Sequence, residues 1–95
     1  MDYTTDRFGD IVNMIRDELE RAERKFPDWP KDIIHAAAIV QEESGELIRA
    51  SLNYYYGKTD MGLVLKEAVQ SGAMCIRFLL NSRDYFDSVR EDKVV

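Results

Sequence analysis

The chain has 95 residues, of which 45% are hydrophobic and 33% charged, and its formal net charge is −5. This length accommodates one hydrophobic core, so we predict a single domain over residues 1–95. The acidic balance argues against nucleic acid as a partner, since proteins bind phosphate backbones through clustered Lys and Arg. An acidic protein can still bind a nucleotide through a bridging metal ion, because the cation inverts the local electrostatics.

The numbers of cysteine and histidine residues limit which covalent links and metal sites the chain can form. Cys75 and His35 are the only residues of their kinds, so an intrachain disulfide and a structural zinc site of four N or S ligands are both excluded. Cys75 stands in an apolar run and is expected to behave as a small buried hydrophobe. We find no secretory signal peptide and no apolar run long enough to cross a bilayer, and therefore expect a soluble, cytoplasmic protein.

The first predicted helix covers about residues 6–25, where apolar residues recur at spacings of three and four. Thr5 or Asp6 can cap its start. The recurring residues form one face, which we expect to lie in the core: Phe8, Ile11, Val12, Ile15, Leu19, Ala22 and Phe26.

Pro27 and Pro30 end that helix and separate it from a second one over about residues 31–56. Trp29, between them, is expected to fill the seam between two helices, with stacking on a nucleobase as the alternative. The predicted packing side of the second helix consists of Val40, Leu47, Ser51 and Tyr55, flanked by Ala37 and Ile48. A different side gathers His35, Ile39, Glu42, Glu43, Glu46, Ala50 and Asn53.

A third helix is predicted over about residues 61–81, after a left-handed terminator at Gly57 and a cap at Thr59 or Asp60. It is apolar on nearly every side, which indicates a central helix covered by several neighbours or by a second copy. Its polar exceptions are Lys66, Glu67, Gln70 and Arg77. One or two further turns from Arg83 would fold Tyr85 and Phe86 back on the core, and residues 87–95 are expected to form a loose tail.

Two groups of polar residues at matching spacing stand out on the second and third helices. Glu43 and Glu46 lie about 60° apart on a helix, with Glu42 beside them, and such like charges repel each other. They form either a solvated acidic face or a divalent-cation site, because hard cations need several oxygen ligands converging from one side. Glu67 and Gln70 repeat the same spacing. A buried Glu is costly unless it is paired or coordinated. Glu67 is therefore expected either to form a salt bridge with Lys66 or with a neighbouring helix, or to belong to the same site as Glu43 and Glu46.

This constellation resembles the all-α nucleoside triphosphate pyrophosphohydrolases of the MazG type. Their pattern of Glu-Glu-x-x-Glu, followed after a gap by Glu-x-x-Asp, is similar to Glu42-Glu43-Ser44-Gly45-Glu46 and Glu67-Ala68-Val69-Gln70, and the resemblance spans residues 33–80. It implies an all-α bundle of three principal helices, completed by oligomerisation as a homodimer or homotetramer. Gln70 departs from the pattern, because it removes one negative charge from the expected metal cluster.

The resemblance implies Mg²⁺-dependent hydrolysis (with Mn²⁺ as a substitute) of a nucleoside triphosphate to a monophosphate and pyrophosphate. Glu43, Glu46 and Glu67 would be metal ligands, and Gln70 would contribute a neutral carbonyl oxygen or nothing. Glu42 would orient the attacking water or ligate a second ion. Candidate phosphate contacts are His35, Lys66 and Arg77. The alternative is a catalytically weakened helical interaction module without hydrolase activity.

Overall fold

The computed structural model describes residues 5–87, and every regular element in this range is a helix. The order is α1 (Thr5–Lys25), α2 (Ile33–Tyr55), α3 (Met61–Leu80) and the short α4 (Ser82–Phe86). The predicted all-α fold with three principal helices is therefore confirmed. No helix of this part of the chain is long and apolar enough to cross a membrane. The tail expected over 87–95 lies, apart from Asp87, outside the described residues.

Local side-chain chemistry sets the helix boundaries close to the predicted ones. The carboxylate of Asp32 caps α2 by accepting hydrogen bonds from the backbone N–H groups of Ile34 (2.7 Å) and His35 (3.2 Å). Asp60 caps α3 in the same way, through the N–H of Leu63 at 3.0 Å. Gly57 adopts a φ of 74°, a left-handed conformation that glycine accepts without steric cost, and it directs the chain into the connector before α3.

The central element is α3, as its apolar composition predicts. Both α1 and α2 pack against it, and α4 contacts its C-terminal end. The core cluster consists of Leu19, Ala22, Ala73 and Met74, with Ile15, Trp29, Ile39 and Val40 packed against it. The buried Ala36 and Ala50 let α2 approach α3 closely, and the hydroxyls of Ser44 and Ser71 lie 3.3 Å apart. Because α1 and α2 both lie on α3, an open cleft remains between them.

The core is thinner than the sequence pattern predicts. Among residues 5–87 no large side chain is completely buried. Phe8 and Phe26, expected in the core, are 54% and 61% exposed. The prediction that Cys75 is buried is wrong, and so is the prediction that Phe86 folds back with Tyr85, which is itself buried. These side chains are exposed because α1 and α2 together cover only part of the surface of α3, and because α1 contacts the other helices along only part of its length.

The orientation of α2 differs in part from the prediction. Val40, Leu47 and Ser51 of the predicted packing side are half-buried, and Val40 packs against the core cluster. Tyr55 and the flanking Ile48, in contrast, are 79% and 63% exposed. The buried residues are Ala36 and Ala50, small residues at the edge of the acidic side and within it. The helix carries apolar residues on two faces, and α3 packs against the face whose small side chains allow the closer approach.

Candidate functional site

Acidic side chains of α2 and α3 line one open cleft of about 470 Å³. Its lining residues are Glu42, Glu43, Gly45, Glu46 and Arg49 from α2, with Glu67 and Gln70 from α3. The cleft therefore holds all five residues that the resemblance assigns to metal binding and water activation. The roles of these residues in metal binding and water activation stay predictions.

The fold brings the two helices together at this level through small polar side chains. Ser44 follows Glu43 on α2, Ser71 follows Gln70 on α3, and their hydroxyls lie at hydrogen-bond distance. The Glu43 and Glu46 side chains stand on neighbouring turns of one helix, and so do Glu67 and Gln70 on the other. Two i, i+3 pairs on packed helices thus face one cleft.

The electrostatics of the cleft are dominated by uncompensated negative charge. Burial raises the pKa of Glu43, and the carboxylates of Glu67, Glu46, Glu18 and Glu42 raise it further. Within the described chain, the one basic residue lining this cleft is Arg49, 3.8 Å from Glu46, and both side chains are exposed. Such an exposed pair contributes little. A bound cation would relieve the repulsion that the protein itself leaves uncompensated.

Glu18 of α1 is a neighbour of Glu43 that the sequence analysis missed. Arg21 holds its carboxylate by two bonds, from Nε to Oε1 at 2.9 Å and from Nη2 to Oε2 at 2.7 Å. Glu18 precedes the buried Leu19 and stands four residues before the buried Ala22, at the margin of the apolar face. This position at the edge of the apolar face is the sequence feature that could have identified Glu18 as a neighbour of the site. It distinguishes Glu18 from Glu20, which is exposed and lines neither cleft.

The donor set fits Mg²⁺ in chemistry, but the side chains are not gathered around a single point. The donors are all oxygen, as Mg²⁺ prefers, and the site has no thiolate. Within residues 5–87, however, no group of three His, Cys, Asp or Glu side chains is placed to hold a metal ion. Glu42 and Glu46 are exposed, so their rotamers can change without disturbing the core. Binding would have to draw these carboxylates together.

A second, larger cleft of about 590 Å³ adjoins the acidic one and shares Glu43 and Gln70 with it. It is the opening that α1 and α2 leave over α3. Its apolar lining comes from Ala22, Phe26, Trp29, Pro30, Ile39 and Met74. Its other polar lining residues are Glu18, Arg21, Asp28, His35 and Arg77. An apolar hollow with a few polar groups is typical of small-molecule sites.

A buried arginine and an aromatic pair form one end of this second cleft. Arg77 is 4% exposed, donates a hydrogen bond to the carbonyl of Phe26, and places its guanidinium carbon 4.9 Å from the Trp29 ring centroid. The Trp29 Nε1–H donates to the Tyr85 hydroxyl at 2.8 Å, and that hydroxyl donates to the Phe78 carbonyl at 2.9 Å. Trp29 therefore fills a seam, as predicted, and also lines the cleft.

The three predicted phosphate contacts lie in different places. His35 and Arg77 both line the larger cleft, next to the acidic one. Lys66 is exposed and lines a separate shallow groove with Met14 and Asp17. The fold thus brings two of these side chains near the carboxylates and leaves the third apart. Contact with phosphate remains a prediction for each of them.

Comparison of the chain with protein-family models, with curated proteins and with solved structures finds no match. The resemblance to the MazG type therefore depends on the Glu-Glu-x-x-Glu and Glu-x-x-Gln pattern alone.

Proposed function

We propose that the protein is a MazG-like, Mg²⁺-dependent nucleotide pyrophosphohydrolase, which cleaves a nucleoside triphosphate to a monophosphate and pyrophosphate. The observation that carries the proposal is the junction of two clefts at Glu43. One cleft holds carboxylates from two packed helices with little compensating positive charge. The other is apolar and aromatic, and the two share Glu43 and Gln70. A metal-bound phosphate chain and an organic group need adjoining sites of these two kinds.

In this proposal Glu43, Glu46 and Glu67 hold the ion, and Gln70 contributes a neutral amide oxygen. When bound, Mg²⁺ (or Mn²⁺) would neutralise the triphosphate and make the attacking water more acidic. Because Mg²⁺ keeps several ligand positions for water and substrate phosphates, three carboxylates suffice on the protein side. The raised pKa of Glu43 is consistent with this assignment, since a nearby cation favours the ionised form that burial and the neighbouring carboxylates disfavour.

Glu42 is the residue we assign to water activation. It lines the acidic cleft from an exposed position, where it can orient a water and accept its proton. The water oxygen would form a bond to the α-phosphorus while the bond from that phosphorus to the bridging oxygen breaks, releasing pyrophosphate. Oriented carboxylates and positive charge near the departing phosphates are the usual means of accelerating such a transfer.

The larger cleft supports a site for the organic part of the substrate. Its volume of about 590 Å³ suits a nucleoside-sized group, and Phe26 and Trp29 supply aromatic walls. Arg77 is fixed by the Phe26 carbonyl and the Trp29 ring, so it holds this end of the cleft in shape. It has no carboxylate partner within residues 5–87, which leaves its positive charge available to a phosphate or a polar base edge.

Assembly as a homodimer or homotetramer belongs to the same proposal. Large apolar side chains are exposed on every long helix, including Ile11 on α1, Ile48 and Leu52 on α2, and Leu65 on α3. A chain of this size buries a limited share of its surface alone, and contact between copies supplies the missing burial.

The second candidate function is an interaction module that has lost hydrolysis. The exposed apolar surface and the presence of Gln70 in place of an acidic ligand favour it. In this case the acidic cleft would bind no catalytic metal, and the helical surface would serve a partner. Catalysis separates the two candidates directly.

Pyrophosphate release from a panel of canonical and modified nucleoside triphosphates, with Mg²⁺ and with Mn²⁺, is the test. We expect turnover of at least one substrate, a loss of about 10²-fold or more in Glu43→Gln, and parent-like turnover in Glu20→Gln. The control removes the same charge from an exposed site that lines neither cleft. Absence of turnover throughout the panel, in folded protein at micromolar concentration, would favour the interaction module.

A further inference from the structure

The outward side of α2 carries a second face that is uncharged and mostly apolar, which we call the α2 stripe. It consists of Ile34, Ala37, Gln41, Gly45, Ile48, Leu52 and Tyr55, at spacings of three and four, and all seven are exposed. At 100° per residue these positions share one side of the helix over its whole length, about 32 Å. None is charged. A continuous uncharged face of this length is typical of a helix–helix contact rather than of a solvated surface.

No part of the chain described by the structure covers this stripe. The buried Ala36 and Ala50, which face α3, lie about 120–160° around α2 from Ile48. Ile34 is 76% exposed and Tyr55 79%. The helix therefore packs inward with one apolar face and presents the other to whatever binds it.

Gly45, near the middle of α2, is an independent sign of a close neighbour. A Cβ atom added there meets nothing within 4 Å, so nothing inside the described chain requires a glycine. A glycine within a helix costs about 1 kcal/mol relative to alanine. A second backbone crossing at this point would use the missing side chain, because glycine permits the closest approach of two helices.

We infer that the α2 stripe binds the α2 stripe of a second copy, antiparallel, with the two-fold axis at Gly45. The stripe is bulky toward its C-terminal end, at Ile48, Leu52 and Tyr55, whereas its N-terminal half contains one small residue, Ala37, between Ile34 and Gln41. A two-fold axis at Gly45 lays the bulky half of each copy on the smaller half of the other. Isologous contacts of this kind need such self-complementarity.

Charge complementarity supports the same axis. Glu42 and Arg49 flank the stripe on one side, about 4.5 Å before and 6 Å after Gly45 along the helix. A two-fold axis at Gly45 keeps that side common to both helices and reverses their direction. Arg49 of the second copy then lies beside Glu42. Among residues 5–87 the ion pair of Arg49 is with Glu46, at 3.8 Å, and its side chain is 72% exposed.

The proposed contact also adjoins the acidic cleft. Since Glu42, Gly45 and Arg49 also line the acidic cleft, the second copy would form the outer wall of that cleft.

Sedimentation of the parent protein and of two lysine variants tests the surface. Ile48→Lys lies on the stripe, and Leu79→Lys is its control, since Leu79 is 67% exposed on α3. We expect a dimeric parent, a dimer dissociation constant raised at least about 100-fold in Ile48→Lys, and no change of that constant in Leu79→Lys. A parent that stays monomeric at its highest soluble concentration would overturn the inference. A dimer weakened by Leu79→Lys and not by Ile48→Lys would do the same.

A disulfide tests the axis itself without relying on the folding of Ile48→Lys. In a Cys75→Ser background, Gly45→Cys should oxidise to a covalent dimer, because an axis at this residue brings two Cα atoms within the roughly 4.4–6.8 Å that a disulfide spans. Glu20→Cys in the same background should remain uncrosslinked at equal concentration. Equal crosslinking of both variants would contradict the axis. The inference depends on the assembly part of the proposed function and not on hydrolysis. A monomer that hydrolyses nucleotides would refute the α2 contact and leave the proposed activity standing. A dimer without activity would refute hydrolysis and leave the α2 contact standing.

Discussion

Glu43 is the residue on which the acidic site converges. It is partly buried, it lines both clefts, and four other carboxylates act on it from α1, α2 and α3. An ionised neighbour one turn away on the same helix, such as Glu46, costs about 0.2–0.5 kcal/mol. Without a cation, the folded protein therefore carries an electrostatic penalty at this position, which the unfolded chain does not carry.

That penalty gives the metal-free protein a defined pH response. The pKa of Glu43 is raised in the folded state, so between the unfolded and folded values the native form binds more protons. Its contribution to stability is complete below the unfolded pKa and is lost as pH rises through the folded pKa. We expect Glu43→Gln to remove this loss, making the variant the more stable protein above that window.

Urea unfolding at a series of pH values, with a chelator present, measures this difference. Glu20→Gln serves as the control, because its carboxylate lies outside the cluster. Its stability should follow that of the parent across the range. Curves for parent and Glu43→Gln that stay parallel through the acid range would show that the carboxylates around Glu43 do not interact as proposed.

At the scale of the helices, α4 is held to the bundle by the Tyr85 hydroxyl. It accepts the Trp29 Nε1–H at 2.8 Å and donates to the Phe78 carbonyl at 2.9 Å, while the Tyr85 and Phe78 rings lie 4.7 Å apart. Trp29 in turn supports Arg77. This short helix thus fixes one end of the larger cleft.

Tyr85→Phe should destabilise the fold by about 1–2 kcal/mol, because it leaves the indole N–H and the Phe78 carbonyl without this partner in a partly buried place. The aromatic packing itself is retained. Phe86 is the neighbouring aromatic and is 80% exposed, so Phe86→Leu should have little effect and serves as the control. Denaturant midpoints compare the three proteins. Equal midpoints for Tyr85→Phe and the parent would mean that water replaces the hydroxyl at no cost.

The helix boundaries could be predicted from the sequence because their signals are local. Pro27, Pro30, Gly57 and Asp60 each act on the backbone within a few residues, and α1, α2 and α3 begin and end within about two residues of the predictions. The face of α2 that packs could not be predicted in this way. Both of its faces are apolar, and the choice depends on which one fits α3 more closely.

The site was only partly predictable for a related reason. Spacing within one helix places Glu43 beside Glu46 and Glu67 beside Gln70, and the packing of α2 on α3 brings the two pairs to one cleft. Glu18 comes from a third helix, and no spacing within a single helix relates it to Glu43. The second cleft was also missed, because it exists only where α1 and α2 diverge over α3.

At the scale of the whole molecule, a thin core supports a large exposed apolar surface and two adjoining clefts. The proposed contact of α2 with a second copy would cover part of that surface and place a wall beside the acidic cleft. Assembly and site would then be linked, because Gly45 and Arg49 belong to both. The proposed activity depends on the claim that the carboxylates around Glu43 bind a divalent cation.

Calorimetric titration of Mg²⁺ and Mn²⁺ into the metal-free protein tests that claim most directly, with thermal melts of the same samples. We predict binding and metal-dependent stabilisation in the parent, weaker binding in Glu46→Gln, and tighter binding in Gln70→Asp by about 1–3 kcal/mol, since a carboxylate replaces an amide. Metal-free Gln70→Asp should melt at a lower temperature than the parent, and the control Glu20→Gln should melt and bind metal like the parent. If no protein of this set binds either ion and no melt responds to metal, the acidic residues form only a solvated face.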